Sequence, residues 1–252
     1  MSGHSRWSTI KRKKAKEDAK KGKIFSKLTR AIVVAARAGG GSPETNIALT
    51  TAIERAKEYN LPHDNIERAI KKGTGETEGV TYENIIYEGY APYGVAVMVD
   101  VLTDNRNRAA SDIRNIFSKY NGNLGESGCV SWIFNKQGII LIGKKNTVKE
   151  DELLSVVLEA GGEDLRVEDG IYEIITSQAD FNNVKKMVED KGFEIESAQI
   201  TMVPKNTVKL KKEEAKKVLK LVNILEEHDD IQEVYSNFDI EENVLEEIEA
   251  ED

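Results

Sequence analysis

Between residues 73 and 79 the apolar residues of this chain change their spacing. Ahead of that stretch they recur at helical steps. Ile24, Phe25, Leu28, Ile32 and Ala35/Ala36 make one stripe at intervals of three and four, which predicts an amphipathic helix. Gly39-Gly40-Gly41-Ser42-Pro43 should end it, since glycine caps a helix and proline cannot continue one. A second helix is expected from an Asn46 cap to Tyr59, with Leu49, Ile53 and Ala56 inward. A third should be capped by Asp64, carry Ile66, Ala69 and Ile70, and stop near Gly73. Three short helices with short links form a small bundle. Gly73-Thr74-Gly75-Glu76-Thr77-Glu78-Gly79 has no apolar anchor, so it reads as a linker, a domain boundary and a place for domain motion.

Beyond the linker the period shortens. Tyr82–Glu88 and Gly94–Leu102 read as strands joined at Ala91-Pro92-Tyr93-Gly94. Asn105–Tyr120 reads as a helix with Ala109, Ile113, Ile116, Phe117 and Tyr120 inward, and Cys129–Phe134 as a return to strand. From Gly138 the expected order is strand 138–143, helix 149–160, strands 164–168 and 171–176, helix 180–191, strand 193–203. That is the ferredoxin-like β-α-β-β-α-β order. A helix over 211–227 and a strand over 231–238 are left without partners, so they are expected to complete the unit begun at residue 80. The fold class is therefore α+β and multidomain. It comprises a basic helical bundle (1–79), a middle α/β domain (80–135 plus 205–240), an inserted ferredoxin-like domain (136–204) and an acidic tail (241–252) expected to fray.

Charge divides along the same boundary. Residues 1–79 hold 17 Lys and Arg against 9 Asp and Glu, a net of +8, and residues 80–252 hold 19 against 35, a net of −16. Residues 1–37 alone carry 12 against 2, a net of +10. Such asymmetry points to a polyanion-binding region at the basic end. Lys11-Arg12-Lys13-Lys14, Lys16, Lys20, Lys21, Lys23 and Lys27 are the candidate phosphate contacts, because each cation placed on a phosphate releases counterions. Arg6 and Trp7 offer a charge and a stacking ring. A solvated basic tail is the bland alternative.

Three further stretches stay open between readings. Residues 46–72 could be a helix-turn-helix that turns Asn65, Arg68, Lys71 and Lys72 toward DNA, although two helices and a short turn more often only pack. Leu102–Arg108 meets a helix N-terminus, where Arg106, Arg108 and Arg114 could hold an anion. Its residues equally fit an Asp/Asn cap with an Arg108–Asp112 pair. Tyr87, Tyr90 and Tyr93 sit in one glycine-containing loop and could contact bases or a partner, or simply shield a hairpin end.

Other classes are disfavoured. One cysteine, Cys129, allows no intrachain disulfide, and no Cys/His cluster has zinc-site spacing. His4, His63 and His228 lie far apart and fit no triad. Gly39-Gly40-Gly41-Ser42 lacks the lysine of a phosphate-binding loop. The longest apolar runs are far too short for a membrane span, and the N-terminus has no apolar signal region. The expectation is a cytoplasmic, monomeric protein that is not an enzyme, needs no cofactor or metal, and has nucleic acid as its partner.

Several motifs are also familiar in combination. Gly3-His4-Ser5-Arg6-Trp7, Lys23–Leu28, Gly40–Asn46, Leu61–Gly73, Tyr87–Ala96 and Leu102–Arg108 together resemble the YebC/PmpR family, along nearly the whole chain. The family includes a mitochondrial translational activator. The resemblance implies a helical domain, two α/β domains with one inserted in the other, and a regulator without known catalysis. It implies two possible activities, transcriptional regulation through DNA or ribosome-associated help for translation. The basic arm and the Tyr87–Gly94 and Asn105–Arg108 loops match its signature segments. Cys129 departs from it, since members often carry serine there. The lack of a confident recognition helix or dimerisation helix favours RNA or the ribosome as target, with duplex DNA the alternative.

Overall fold

The computed structural model describes residues 21–75, 81–143, 149–168 and 170–251. Three helices come first: α1 (Lys21–Gly39), α2 (Ile47–Glu58) and α3 (His63–Gly73). Leu28, Ile32, Val33, Leu49, Ala56, Ile66 and Ala69 are buried in one cluster, so the predicted stripe is the inner face. Asn46 organises the α1–α2 corner. Its Oδ1 accepts from the Leu49 N–H at 3.1 Å. Its Nδ2 donates to the carbonyls of Ala35 and Gly40, both at 2.8 Å. One buried amide thus closes one helix and opens the next. A Cβ on Gly39 would come within 2.7 Å of that amide, so glycine is required there. Asp64 is not a cap as expected: α3 begins one residue earlier, behind Pro62, whose fixed φ suits a helix entry.

A four-stranded sheet follows, with strands β1 (Glu83–Tyr90), β2 (Ala96–Thr103), β3 (Asn123–Leu124) and β9 (Ile231–Ser236) in the order β3-β1-β2-β9. All of its pairings are antiparallel. Helices α4 (Arg106–Lys119), α7 (Lys212–Glu227) and α8 (Glu242–Glu251) supply the partners of Val97, Val99 and Val101 in the largest core. Ile113, Phe117, Leu221, Val222, Leu225 and Val234 fill it. The β1–β2 turn is tight, with Tyr93 at φ 64 and Gly94 at φ 75. A two-stranded parallel pair, β8 (Val208–Lys209) with β10 (Phe238–Asp239), adjoins.

The second four-stranded sheet lies between β3 and β9 in sequence. It contains β4 (Phe134–Gly143), β5 (Gly162–Glu168), β6 (Ile171–Thr176) and β7 (Ile195–Pro204), in the order β5-β6-β4-β7 and antiparallel throughout. Helices α5 (Glu150–Glu159) and α6 (Phe181–Asp190) bury Leu153, Val157, Val184 and Val188 against Ile140, Ile142, Tyr172 and Ile174. The element order is β-α-β-β-α-β. Strands β4 and β7 run side by side from Phe134–Pro204 to Ile142–Ile195. A smaller cluster of Ala96, Met98, Val130, Ile133 and Phe134, with Met202 and Tyr235 against it, joins the two sheets.

Three expectations are corrected. Cys129–Phe134 is not a strand: Ser131–Ile133 forms a 3-10 turn and β4 starts at Phe134. The strand expected over 231–238 stops at Ser236. Asn237 breaks it by accepting from the Ala96 N–H at 2.8 Å and donating to the Asn206 carbonyl at 3.2 Å. The acidic tail is helix α8, whose Leu245 and Ile248 are buried in the main core.

Candidate nucleic-acid interface

The predicted cations divide into two groups. Arg6, Trp7, Lys11, Arg12, Lys13, Lys14, Lys16 and Lys20 lie outside the described residues. Lys21 opens α1. From Lys23 onward the basic face of α1 lies against the C-terminal end of α7. Lys23 Nζ donates to the Glu227 carbonyl at 3.3 Å, and Lys27 Nζ to the Glu226 carbonyl at 2.7 Å. The last carbonyls of a helix have no partners within it and carry the negative end of its dipole. Two lysines from about two hundred residues away in sequence satisfy them here.

Arg30 continues the contact one turn on. Its Nη1 reaches the carbonyls of Leu102 and Asp229 at 3.0 Å and Asp230 Oδ1 at 2.9 Å, and the guanidinium lies over the Tyr82 ring. Asp230 is the centre of this cluster and only 3% exposed. Its Oδ2 accepts from Arg108 Nη2 at 2.8 Å and from Thr103 Oγ1 at 2.9 Å. Burial pushes the Asp230 carboxyl up, but the donors from Arg108 and Thr103 and the charges of Arg108 and Arg30 outweigh it, so the group titrates below its ordinary range. Arg108 also pairs with Asp104 at 2.8 Å, and the charge-assisted bonds to both carboxylates raise its pKa.

The Asn105 cap is present: its Oδ1 accepts from the Arg108 N–H at 3.1 Å. The expected Arg108–Asp112 pair is not, because Asp104 and Asp230 hold Arg108 and Asp112 faces His228 at 3.4 Å. Arg106 lies exposed, 4.0 Å from Glu83. A second ion pair, Arg55 with Glu233, ties α2 to β9, and Glu233 is the main cause raising the Arg55 pKa. Beside it burial, and then Glu233, push the Asp100 carboxyl up, with Asn84, Arg55 and Lys136 opposing.

On α3, Arg68 is held by its own helix, donating to the Asp64 carbonyl at 3.1 Å and to Asn65 Oδ1. Lys71 is exposed and Lys72 half-buried. Gly73 sits so close to α1 that a Cβ would meet the Val33 carbonyl at 2.5 Å.

The three tyrosines do not share a surface. Tyr87 packs against the main core and its hydroxyl reaches the Arg106 carbonyl at 3.4 Å. Tyr90 is on the opposite face of β1, where its hydroxyl donates to the Cys129 carbonyl at 3.2 Å. Tyr93, in the turn, accepts from Lys217 Nζ at 3.1 Å.

Sequence reading missed a rigid loop beside Tyr90. Glu88, 5% exposed, accepts from the backbone N–H groups of Gly128, Val130 and Ser131, each at 2.8 Å. Burial raises its pKa, but those three donors overcome it and the carboxylate is favoured. Cys129 in that loop is half-buried, and burial followed by the Glu88 charge pushes its thiol up, so it is not an activated nucleophile. Trp132 projects from the loop at 63% exposure. One of the chain's two tryptophans was the available signal. Asp230 had none, since its partners lie far away in sequence.

Among the described residues no group of three or more His, Cys, Asp or Glu could hold a metal ion, and no helix is long and apolar enough to cross a membrane.

Comparison with known proteins places this arrangement. A solved structure of a conserved hypothetical protein from Aquifex aeolicus superposes with a TM-score of 0.77 at 53% identity, covering 89% of this chain and 93% of that one. A relative from Halothermothrix orenii is 56% identical over 98% of this chain and 99% of its own length. One from Dictyoglomus turgidum is 54% identical over 97% and 98%. Both carry the name probable transcriptional regulatory protein. Residues 5–76 match the family model of the TACO1/YebC protein N-terminal domain, and residues 82–238 that of the TACO1/YebC second and third domain. The chain belongs to the TACO1/YebC family.

Proposed function

We propose that this protein is a non-catalytic, nucleic-acid-binding regulator of gene expression that acts in the cytoplasm as a monomer, through the basic segment ahead of α1. The observation that carries the reading is the division of charge. Residues 1–37 hold a net of +10 in a chain whose remainder from residue 80 is −16. Within α1, Lys23, Lys27 and Arg30 are engaged by α7 and Asp230. Seven lysines and arginines precede residue 21, and the acidic composition of the chain from residue 80 makes this segment the strongest attraction for a polyanion. The domain division that suits this role is a bundle (1–79), a middle domain (80–135 plus 205–240) and a ferredoxin-like domain (136–204) inserted in it.

RNA on the ribosome is the favoured target. Arg68 on α3 is tied to its own helix, which fits poorly with a base-reading helix. The names of the relatives favour the second reading, a DNA-binding transcriptional regulator. Co-sedimentation with ribosomes beside duplex-DNA binding, both across a salt series, separates them. Retention on ribosomes at salt that strips random DNA supports the first. Tight binding to particular duplexes with no ribosome retention supports the second. Changing Lys11, Arg12, Lys13 and Lys14 to Ala should weaken either complex and flatten log K against log salt by about 3 on single strands or duplex. An unchanged slope refutes the arm as the contact.

A further inference from the structure

We propose that the β1–β2 hairpin end of the first sheet is a second nucleic-acid contact, a platform on which unpaired bases of a single strand stack between lysines that hold its phosphates. The inference rests on the nucleic-acid reading above and adds a surface to it.

The platform is built rather than merely exposed. Trp132 Nε1 donates to the Cys129 carbonyl at 3.1 Å, and the Tyr90 hydroxyl donates to the same oxygen at 3.2 Å. Both rings are therefore pinned by their polar atoms, and what remains to a ligand is ring face. They stay open, Trp132 at 63% and Tyr90 at 37% exposure. The loop beneath is fixed by Glu88 through three backbone N–H groups, so little ordering is left to binding. The buried Glu88 charge is met by those donors rather than presented to solvent.

One cation lies beside these two rings and three more lie around the hairpin end, over other tyrosines. Lys205 Nζ sits on the Trp132 carbonyl at 2.8 Å. Across the hairpin, Lys119 and Lys220 both stand over the Tyr120 ring, at 5.8 and 5.9 Å, and Lys217 stands over Tyr93 at 5.8 Å. The segment after Tyr120 returns alongside Tyr90, where β3 pairs with β1. The acidic neighbours of Lys217 are engaged: Glu213 pairs with Lys216 at 3.6 Å, and Glu214 accepts from the Lys211 N–H at 2.9 Å. Glu126 is the exposed carboxylate of the Trp132 loop.

Ring faces set among lysines are the signature of single-strand binding without base readout, and duplexes, whose bases are already stacked, gain nothing from them. A protein partner would require a broad, continuous apolar centre, and here two ring faces stand beside a lysine. The platform and the Asp230 cluster lie at opposite ends of β2, roughly 25 Å apart for eight residues of strand.

The test uses the full chain with Trp7→Phe as the reference for every comparison, which leaves Trp132 as the single tryptophan; its single-strand affinity is first measured beside that of the unchanged chain, since Trp7 belongs to the arm. Fluorescein-labelled oligoadenylate, alone or annealed to oligouridylate, is followed by anisotropy, and Trp132 emission is read in parallel with unlabelled strands. The single strand should quench Trp132 and the duplex should not. Trp132→Ala should weaken single-strand binding about tenfold and leave duplex binding and thermal denaturation unchanged, and Trp132→Phe should recover most of the loss. Lys217→Gln with Lys220→Gln should lower single-strand affinity and its salt slope. Unmoved Trp132 emission at saturating single strand, with binding still lost on alanine substitution of Lys11 to Lys14, overturns the platform and leaves the arm intact. Absence of any binding by the parent protein overturns both readings.

Discussion

Asp230 is a buried carboxylate whose partners come from two distant stretches of chain: Arg30 in α1, and Thr103 and Arg108 where β2 leads into α4. A charge removed from water is tolerated only when its lone pairs are met, and here they are met at 2.8 to 2.9 Å. Asp230→Asn leaves the Arg30 guanidinium without its counter-charge and Arg108 with Asp104 alone, and should cost roughly 3 kcal/mol or more of stability. The pH dependence follows from the direction of the shift. The folded-state pKa is depressed, so the contribution is complete above the unfolded value of about 3.9 and is lost as pH falls from there through the lower folded value. Acid unfolding of the parent should therefore be steeper below about pH 4 than that of the Asn variant. Parallel acid limbs in denaturant titrations would refute the linkage. No local pattern announces this residue: Asp229-Asp230 reads as ordinary turn composition after a helix. It is visible only once Arg30 and Arg108 converge on it.

At the scale of elements, the tail is instructive. Leu245 and Ile248 are two apolar residues in a run of glutamates, which suits a fraying end. The structure folds the run into α8 and buries both in the core beneath α7. Each such side chain contributes on the order of 1.5–3 kcal/mol when buried. Ending the chain after Glu241 should thus lower stability by about 3 kcal/mol or more in urea; an unchanged midpoint would mean the helix is dispensable. What made the rest readable was periodicity. The Leu28–Ile32–Ala36 stripe, the β-α-β-β-α-β order and the Asn46 and Asn105 caps are local signals, and they appear where expected. Asp64 and the 129–134 strand failed because Pro62 had already set the helix entry and because Glu88 gathers the N–H groups of 128, 130 and 131. Pro62 is two residues from Asp64 and was readable locally, whereas Glu88 lies some forty residues from the N–H groups it gathers. The candidate site was legible in part for the same reason. Lys23 and Lys27 read as phosphate ligands, while the α7 carbonyls they reach are about two hundred residues away.

Across the whole molecule the two four-stranded sheets meet through neighbouring strands. Gln137 and Thr201 are paired partners in β4 and β7, so the path into the second sheet and the path out of it run side by side. A chain in which residues 138–200 are replaced by Asn-Gly, a favoured two-residue hairpin turn, should keep the first sheet and its core and unfold cooperatively. Loss of near-ultraviolet ellipticity together with non-cooperative melting would show that the second sheet is indispensable to the first. The proposed nucleic-acid arm should remain active in that protein, since helix α1, which follows it, docks on α7 and Asp230 and the replacement leaves both in place.

The same path sets a clock. Strand β2, in the middle of the first sheet, ends at Thr103, and its neighbour β9 begins at Ile231. At roughly 5–20 residues per second, synthesis of the intervening chain takes on the order of ten seconds. Throughout that interval one edge of β2 is unpaired, and Lys23, Lys27 and Arg30 wait for carbonyls and a carboxylate that do not yet exist. The nascent chain therefore emerges with its basic segment undocked and an open strand edge, and it becomes the finished protein only in its last few dozen residues.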